Sequence, residues 1–171
     1  IAEYFCDKIS NPFNQKVGIV CGKGNNGGDG IVSHHYLKRY NVSSEIILTE
    51  ISSIHQKLFK KYKISNDEYV IYDSTVDFNE YDWIIDAIFG IGLSRKLDKL
   101  YLNIINNVNS NSNIISIDMP SGMFSNGSNS KSRIKSKHVI TFGYPKLGHY
   151  LNVINNLYIK DIGFQKYKNG K

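Results

Sequence analysis

With 171 residues, 41% hydrophobic and 21% charged, the chain carries enough apolar material for one sizeable core, and residues 1–171 are read as a single domain. That composition excludes a disordered tail, a collagen-like repeat and a coiled coil, and no run approaches the roughly 18 consecutive apolar residues a membrane helix needs. A net charge of +6 favours an anionic partner, but the bases are scattered and the densest run, Lys131 to Lys137, is interleaved with Ser, so a phosphorylated small molecule is preferred over nucleic acid. The opening Ile1-Ala2-Glu3-Tyr4-Phe5-Cys6-Asp7 carries acids where a targeting signal would carry bases, and no Met leads it. An upstream segment is therefore expected, and the compartment is read as cytoplasmic, or mitochondrial if that segment is a targeting sequence. Cys6 and Cys21 are read as reduced thiols.

Short apolar runs alternate with amphipathic ones along the chain, the rhythm of a mostly parallel sheet covered by helices. Val17 to Cys21 reads as a buried strand, Gly22 to Gly30 as a glycine-rich turn, and Asp29 to Tyr40 as a helix with Ile31, His35 and Leu37 near one face. Glu45 to Leu48 is a second strand, followed by Ile51, Ile54, Leu58, Phe59 and Tyr62 at helical spacing. Tyr69 to Tyr72 is a short strand and Trp83 to Ala87 a longer one. Leu100, Ile104 and Val108 mark another helix, and Ile114 to Ile117, Val139 to Phe142 and Leu157 to Ile159 complete six or seven strands. Asn106 to Ser112 and Phe124 to Lys137 read as polar loops. In such sheets ligands bind beyond the carboxyl ends of the strands.

Three of those ends carry chemistry. The first runs Gly22-Lys23-Gly24-Asn25-Asn26-Gly27-Gly28-Asp29-Gly30, whose glycines free backbone N–H groups to converge on an anion in front of a helix. It satisfies the G-x-G-x-x-G pattern, and Glu50 stands about where a dehydrogenase holds a ribose, so a dehydrogenase is one rival reading. Against it, Asn25, Asn26 and Asp29 are ligand-reading groups where such enzymes have apolar helix contacts. The second end, Trp83-Ile84-Ile85-Asp86-Ala87-Ile88-Phe89-Gly90, places an acid in an apolar strand, which is costly unless a cation or several donors hold it. Gly90 to Lys96 then offers small residues and bases for a second phosphate contact. The third, Ile114 to Gly122, repeats the arrangement with Asp118 at the tip and a turn fixed by Pro120 and Gly122. Asp118 either faces the same crevice or only caps that turn.

Gly24-Asn25-Asn26-Gly27-Gly28-Asp29-Gly30, Asp86-Ala87-Ile88-Phe89-Gly90, Asp118-Met119-Pro120-Ser121-Gly122 and Pro145-Lys146-Leu147-Gly148, in this order, resemble the NAD(P)HX epimerase family, the YjeF N-terminal domain. The resemblance covers nearly the whole chain. It implies a Rossmann-like three-layer α/β sandwich, a mostly parallel sheet with helices on both faces, forming a homodimer that interconverts the R and S forms of hydrated NADH or NADPH. A separate NAD(P)HX dehydratase would complete the repair, with neither membrane nor nucleic acid as partner. By resemblance, Asn25, Asn26, Gly27, Gly28 and Asp29 contact the hydrated dinucleotide, as do Gly90, Ile91, Gly92, Leu93, Ser94, Arg95 and Lys96. Asp118 reaches its reacting part, and potassium is held at Asn26, Asp86 and Ser121. Amide, carboxylate and hydroxyl oxygens suit such an ion, being hard ligands with too little charge to demand a divalent metal. Met119 departs from the family's usual Ile or Val.

Inverting the hydroxyl-bearing carbon needs a group that gives and then takes a proton. Asp118 is assigned that role, with Lys146 as the second catalytic candidate, orienting it or shaping its charge. The rival from another class is a non-catalytic nucleotide- or RNA-binding scaffold of the same fold; in such proteins the acids are often lost, and here they are present. His34 and His35 are adjacent and so share no metal on one helix face, while His138 and His149 have no partners visible in the sequence.

Overall fold

Seven strands form one sheet in the order β3-β2-β1-β4-β5-β6-β7, with β1 at Lys16–Cys21, β2 at Ser43–Leu48, β3 at Tyr69–Ile71, β4 at Trp83–Ala87, β5 at Ile114–Ile117, β6 at His138–Phe142 and β7 at Leu157–Lys160. The structure is a computed structural model that describes residues 1–93, 96–128, 132–152 and 154–163. Every neighbouring pair is parallel. The chain winds outward from β1 to β3, then restarts at β4 on the other side of β1. That reversal opens a crevice between the carboxyl ends of β1 and β4.

Side chains alternate across each strand, and the two faces bury different partners. Val17, Ile19 and Cys21 of β1 and Trp83, Ile85 and Ala87 of β4 pack with Phe5, Ile31 and Leu37 from α1 (Ala2–Lys8) and α2 (Asn25–Arg39), with α3 (Ser53–Tyr62) beside them. On the other face Val20, Ile84 and Ile114 meet Ile104, Ile105 and Val108 of α4 (Lys99–Val108). Helices on both faces make the expected three-layer α/β sandwich.

Several boundaries differ from the sequence reading. Helix α2 begins at Asn25, so Gly27, Gly28 and Gly30 lie inside a helix and not in a turn; close packing on the sheet overrides their poor helix propensity. Helix α4 continues through Asn106 and Asn107, because Ile104, Ile105 and Val108 form its buried stripe and the two amides sit on its exposed side. Two short helices lie outside the elements read from the sequence, α1 and α5 (Leu147–Leu151).

Four histidines tie these layers together. His34 on α2 bonds Glu68 and Ser44, at 2.9 Å each; His55 on α3 bonds the Gly22 carbonyl at 3.0 Å; His138 on β6 bonds the Tyr4 hydroxyl of α1 at 3.1 Å. His149 belongs to the site below. Burial lowers the pKa of all four, so each favours the neutral ring in the fold. A lowered folded-state pKa means that the unfolded chain binds protons first, and stability is lost as the pH falls below about 6.5. The thermal midpoint is therefore expected to drop steadily from about pH 6.5 to about pH 5. A midpoint level across that window would contradict this.

Candidate functional site

The amino end of α2 is brought to the crevice by missing side chains. A Cβ on Gly30 would lie 2.6 Å from Cys21 Sγ and 2.7 Å from the Ala87 Cβ, and one on Gly27 would lie 1.7 Å from the Gly22 carbonyl oxygen. With bare backbone at both places, the helix presses onto β1 and β4. Gly24 caps it without a side-chain bond, so the first-turn N–H groups keep their partial positive charge where Gly24, Asn25 and Asn26 line the cleft. Main-chain N–H groups so placed are able to receive an anion.

Asp86 stands on the α4 side of β4, fully buried. Its Oδ2 accepts from Ser116 Oγ at 2.6 Å and the Ser121 N–H at 2.9 Å; its Oδ1 accepts from Ser121 Oγ at 2.5 Å and the Ile88 N–H at 3.2 Å. Burial pushes its pKa up, and these four donors work against the shift. No side-chain cation pairs with it among the described residues. Ser121 Oγ also accepts the Phe89 N–H at 2.9 Å, which ties the loop after β4 to the turn after β5.

Asp118 follows β5 with φ of 66°, in the left-handed region that Asp tolerates better than most residues. The conformation turns its carboxylate into the cleft. Oδ1 accepts from Lys146 Nζ at 2.5 Å and Thr141 Oγ1 at 3.0 Å, and Oδ2 accepts the Ile91 N–H at 3.0 Å. Lys146 Nζ donates as well to Thr141 Oγ1 at 2.7 Å and the Phe142 carbonyl at 3.2 Å, so its three protons are all engaged. His149 completes the frame: its Nε2 donates to the Asp118 carbonyl at 2.9 Å and its Nδ1 accepts the Lys146 N–H at 3.0 Å. Those partners fix the neutral tautomer with the proton on Nε2.

A Cβ on Gly90 would sit 2.9 Å from Asp118 Oδ2 and 3.2 Å from Asn26 Oδ1, so the glycine lies between the two side chains. The three strand ends thus meet around one cleft of about 800 Å³. Asn25, Asn26, Asp29, Gly90, Ile91, Gly92, Leu93, Asp118 and Lys146 line it; Asp86 and Ser121 lie buried behind it; Gly27 and Gly28 sit in the first turn of α2 away from its surface; Lys96 is exposed outside the lining. Ser94 and Arg95 lie outside the described residues. Glu50 is not in the lining either. It pairs with Lys23 Nζ at 3.2 Å and accepts the Tyr101 hydroxyl at 3.2 Å. A second groove, of about 600 Å³, opens at the amino ends of β1 and β2 between Lys16, Lys38 and Glu45, and holds none of the motif residues.

Sequence reasoning missed the apolar wall of the cleft, Ile88, Phe89, Phe142, Tyr144 and Ile162. It missed Thr141 and His149 too, although a histidine three residues beyond Lys146 is the spacing of a helix cap, and it gave no partners to His138, which has one, or to His149, which has two. The cleft holds the hydrogen-bonded Asp118 carboxylate between aromatic and aliphatic walls. Such a site suits a ligand with a flat apolar part and an anionic group.

The family profile described as YjeF-related protein N-terminus matches residues 1–148. The chain is 28% identical over 164 residues to the bifunctional NAD(P)H-hydrate repair enzyme Nnr of Thermofilum pendens, a match covering 86% of this chain and 31% of that protein. It is 34% identical over 150 residues to the NAD(P)H-hydrate epimerase of Oenococcus oeni, covering 84% of this chain and 71% of the relative. The chain therefore spans about a third of the bifunctional relative and about 70% of the epimerase. Among solved structures, yeast ynu0 superposes with a TM-score of 0.76 at 20% identity, over 94% of this chain and 73% of the yeast one, a likeness of fold.

Proposed function

Because the chain belongs to the family of YjeF-related protein N-termini, we propose that it is an isomerase interconverting the R and S forms of hydrated NADH or NADPH. The observation that carries this reading is the Asp118 carboxylate, turned into the cleft by a left-handed residue and held by Lys146, Thr141 and the Ile91 N–H. The names of the relatives supply the substrate class.

The chemistry follows from the substrate. A proton passes to the hydroxyl on C6 of the nicotinamide ring, the C–O bond breaks, and water leaves with the bonding pair. The lone pair of the ring nitrogen closes a C=N double bond, leaving a delocalised cation. Water then adds to the other face, gives up a proton, and the pair returns to nitrogen. Nothing is oxidised or reduced. Asp118 is assigned to proton transfer at that carbon, and Lys146 is assigned to fixing its carboxylate. The first turn of α2 and the loop from Gly90 are assigned to the phosphates, and Phe142, Tyr144 and Ile91 to the ring systems.

Asn26, Asp86 and Ser121 fit a monovalent cation. The donor set is all oxygen with one negative charge, Asp86 is buried with no side-chain cation beside it among the described residues, and the Asn26 amide nitrogen is buried without a hydrogen-bond partner. A half-turn of that amide, which leaves its shape unchanged, presents its oxygen instead. Potassium held there would supply the positive charge that balances Asp86. Assembly as a homodimer and hand-over of the S form to a separate dehydratase belong to the same reading.

The test is a coupled assay in which an S-specific dehydratase consumes a mixture of both epimers with and without this protein. Faster disappearance of the R form is expected. An R-form decay equal to the spontaneous rate would overturn the assignment.

A further inference from the structure

Epimerisation makes a demand that a single fixed carboxylate does not meet: the departing and returning waters occupy opposite faces of a flat ring. Asp118 is held in one place by three donors, which suits it to one face alone. The cleft holds a second carboxyl, Asp29, which comes from a different wall, one turn into α2. Unlike Asp118, its carboxylate has no hydrogen-bond or ion-pair partner among the described residues; only its backbone carbonyl is engaged, by Ser33 Oγ at 2.7 Å. It also faces solvent over the cleft mouth and the adjoining groove beside α1, so its proton exchanges freely.

Resting on the epimerase reading, we infer that Asp29 is the second proton-transfer group, serving the face of the nicotinamide ring that Asp118 does not reach. In one direction the Asp29 carboxyl gives its proton to the C6 hydroxyl, which leaves as water. The Asp118 carboxylate then takes the proton of the water that adds on the other face. The reverse direction exchanges the two roles, and solvent resets the pair between turnovers.

The electrostatics agree. Partial burial and then the charge of Asp118 raise the pKa of Asp29, with the Ile1 amino group acting in the opposite sense. Other titratable groups around it are Lys23, Tyr144 and Lys146 in the cleft and Glu3, Tyr36 and Tyr40 in the groove. Asp29 therefore keeps its proton to higher pH than a free carboxyl. A carboxyl that stays protonated in this way is suited to begin as the acid.

The experiment compares the full chain with its Asp29→Asn variant, following R-to-S exchange and uptake of isotopically labelled water into the hydroxyl. Wild-type protein is measured first, since absence of catalysis there would end the epimerase reading and not this inference alone. With wild type active, the variant is expected to lose about 100-fold or more in kcat with KM changed by less than about threefold. Label uptake falls in step. The wild-type rate should decline above the pKa of the acid, and that limb of the pH–rate profile should vanish in the variant. A variant with wild-type kcat and a raised KM, or one that keeps the alkaline limb, would show that Asp29 only binds substrate and would overturn the proposal.

Discussion

On the proposed epimerase reading, replacing Asp118 by Asn is expected to leave the fold standing and to cut turnover by about 100- to 10,000-fold, the range a positioned acid–base group contributes. Two features make the variant informative. Asn is as much at ease as Asp at a φ of 66°, so the backbone has no reason to move. The amide is isosteric, but it presents a donor where the carboxylate accepts on both sides: from Lys146 Nζ and Thr141 at one oxygen, from the Ile91 N–H at the other. One of those donors then faces another donor, at a cost of about 1–3 kcal/mol. In a protein of this size that lowers the thermal midpoint by roughly 2–4 °C per kcal/mol. Thermal unfolding and single-epimer kinetics on the same preparation separate the two effects. Turnover within a few-fold of wild type would remove Asp118 from the chemistry.

The sheet is legible in the sequence because parallel strands are buried on both faces and read as unbroken apolar runs, as in Ile114-Ile115-Ser116-Ile117. The site is legible to the extent that its residues break such runs: Asp86 and Asp118 stand out against Ile, Ala and Met. What interrupts no pattern stays hidden. Thr141 is an ordinary strand residue by type, and only the parallel register of β5 and β6 sets it beside Asp118. Ser116 looks like a small residue tolerated in a core, yet it is the register partner of Asp86 and donates to it. The start of α2 is misread for the opposite reason, since Gly27, Gly28 and Gly30 argue locally for a turn and the helix is held by contacts with β1, β4 and α3 distant in the chain. His149 and Tyr144 are in the same position: they lie on the chain after β6, whose path over the cleft no local pattern encodes.

The second large effect is expected at Asp86, where the carboxylate links parts of the site that do not touch each other. It fixes Ser121, Ser121 accepts the Phe89 N–H, and two residues further the Ile91 N–H holds Asp118. Asp86→Ala strips the acceptor from two hydroxyls and two backbone N–H groups. The hydroxyls have other acceptors in reach, Ser136 Oγ for Ser116 and the Phe89 carbonyl for Ser121. The N–H groups of Ile88 and Ser121 do not turn, and leaving both unpaired costs about 2–6 kcal/mol. A fall in the thermal midpoint on the order of 10 °C follows, with loss of turnover because the Gly90 loop no longer positions Ile91 against Asp118. The opposing contribution is the relief of burying a carboxylate with no side-chain cation beside it. If that charge went unbalanced, the substitution would be neutral or stabilising, so the sign of the shift tests whether a cation accompanies Asp86 in solution. Potassium chloride is therefore expected to raise the wild-type midpoint above its value in tetramethylammonium chloride, by up to about 2.7 kcal/mol of stabilisation at 100 times the dissociation constant, and to do nothing for Asp86→Ala. Equal midpoints of the wild-type protein in the two salts would leave hydrogen bonds, and not an ion, as what holds this carboxylate.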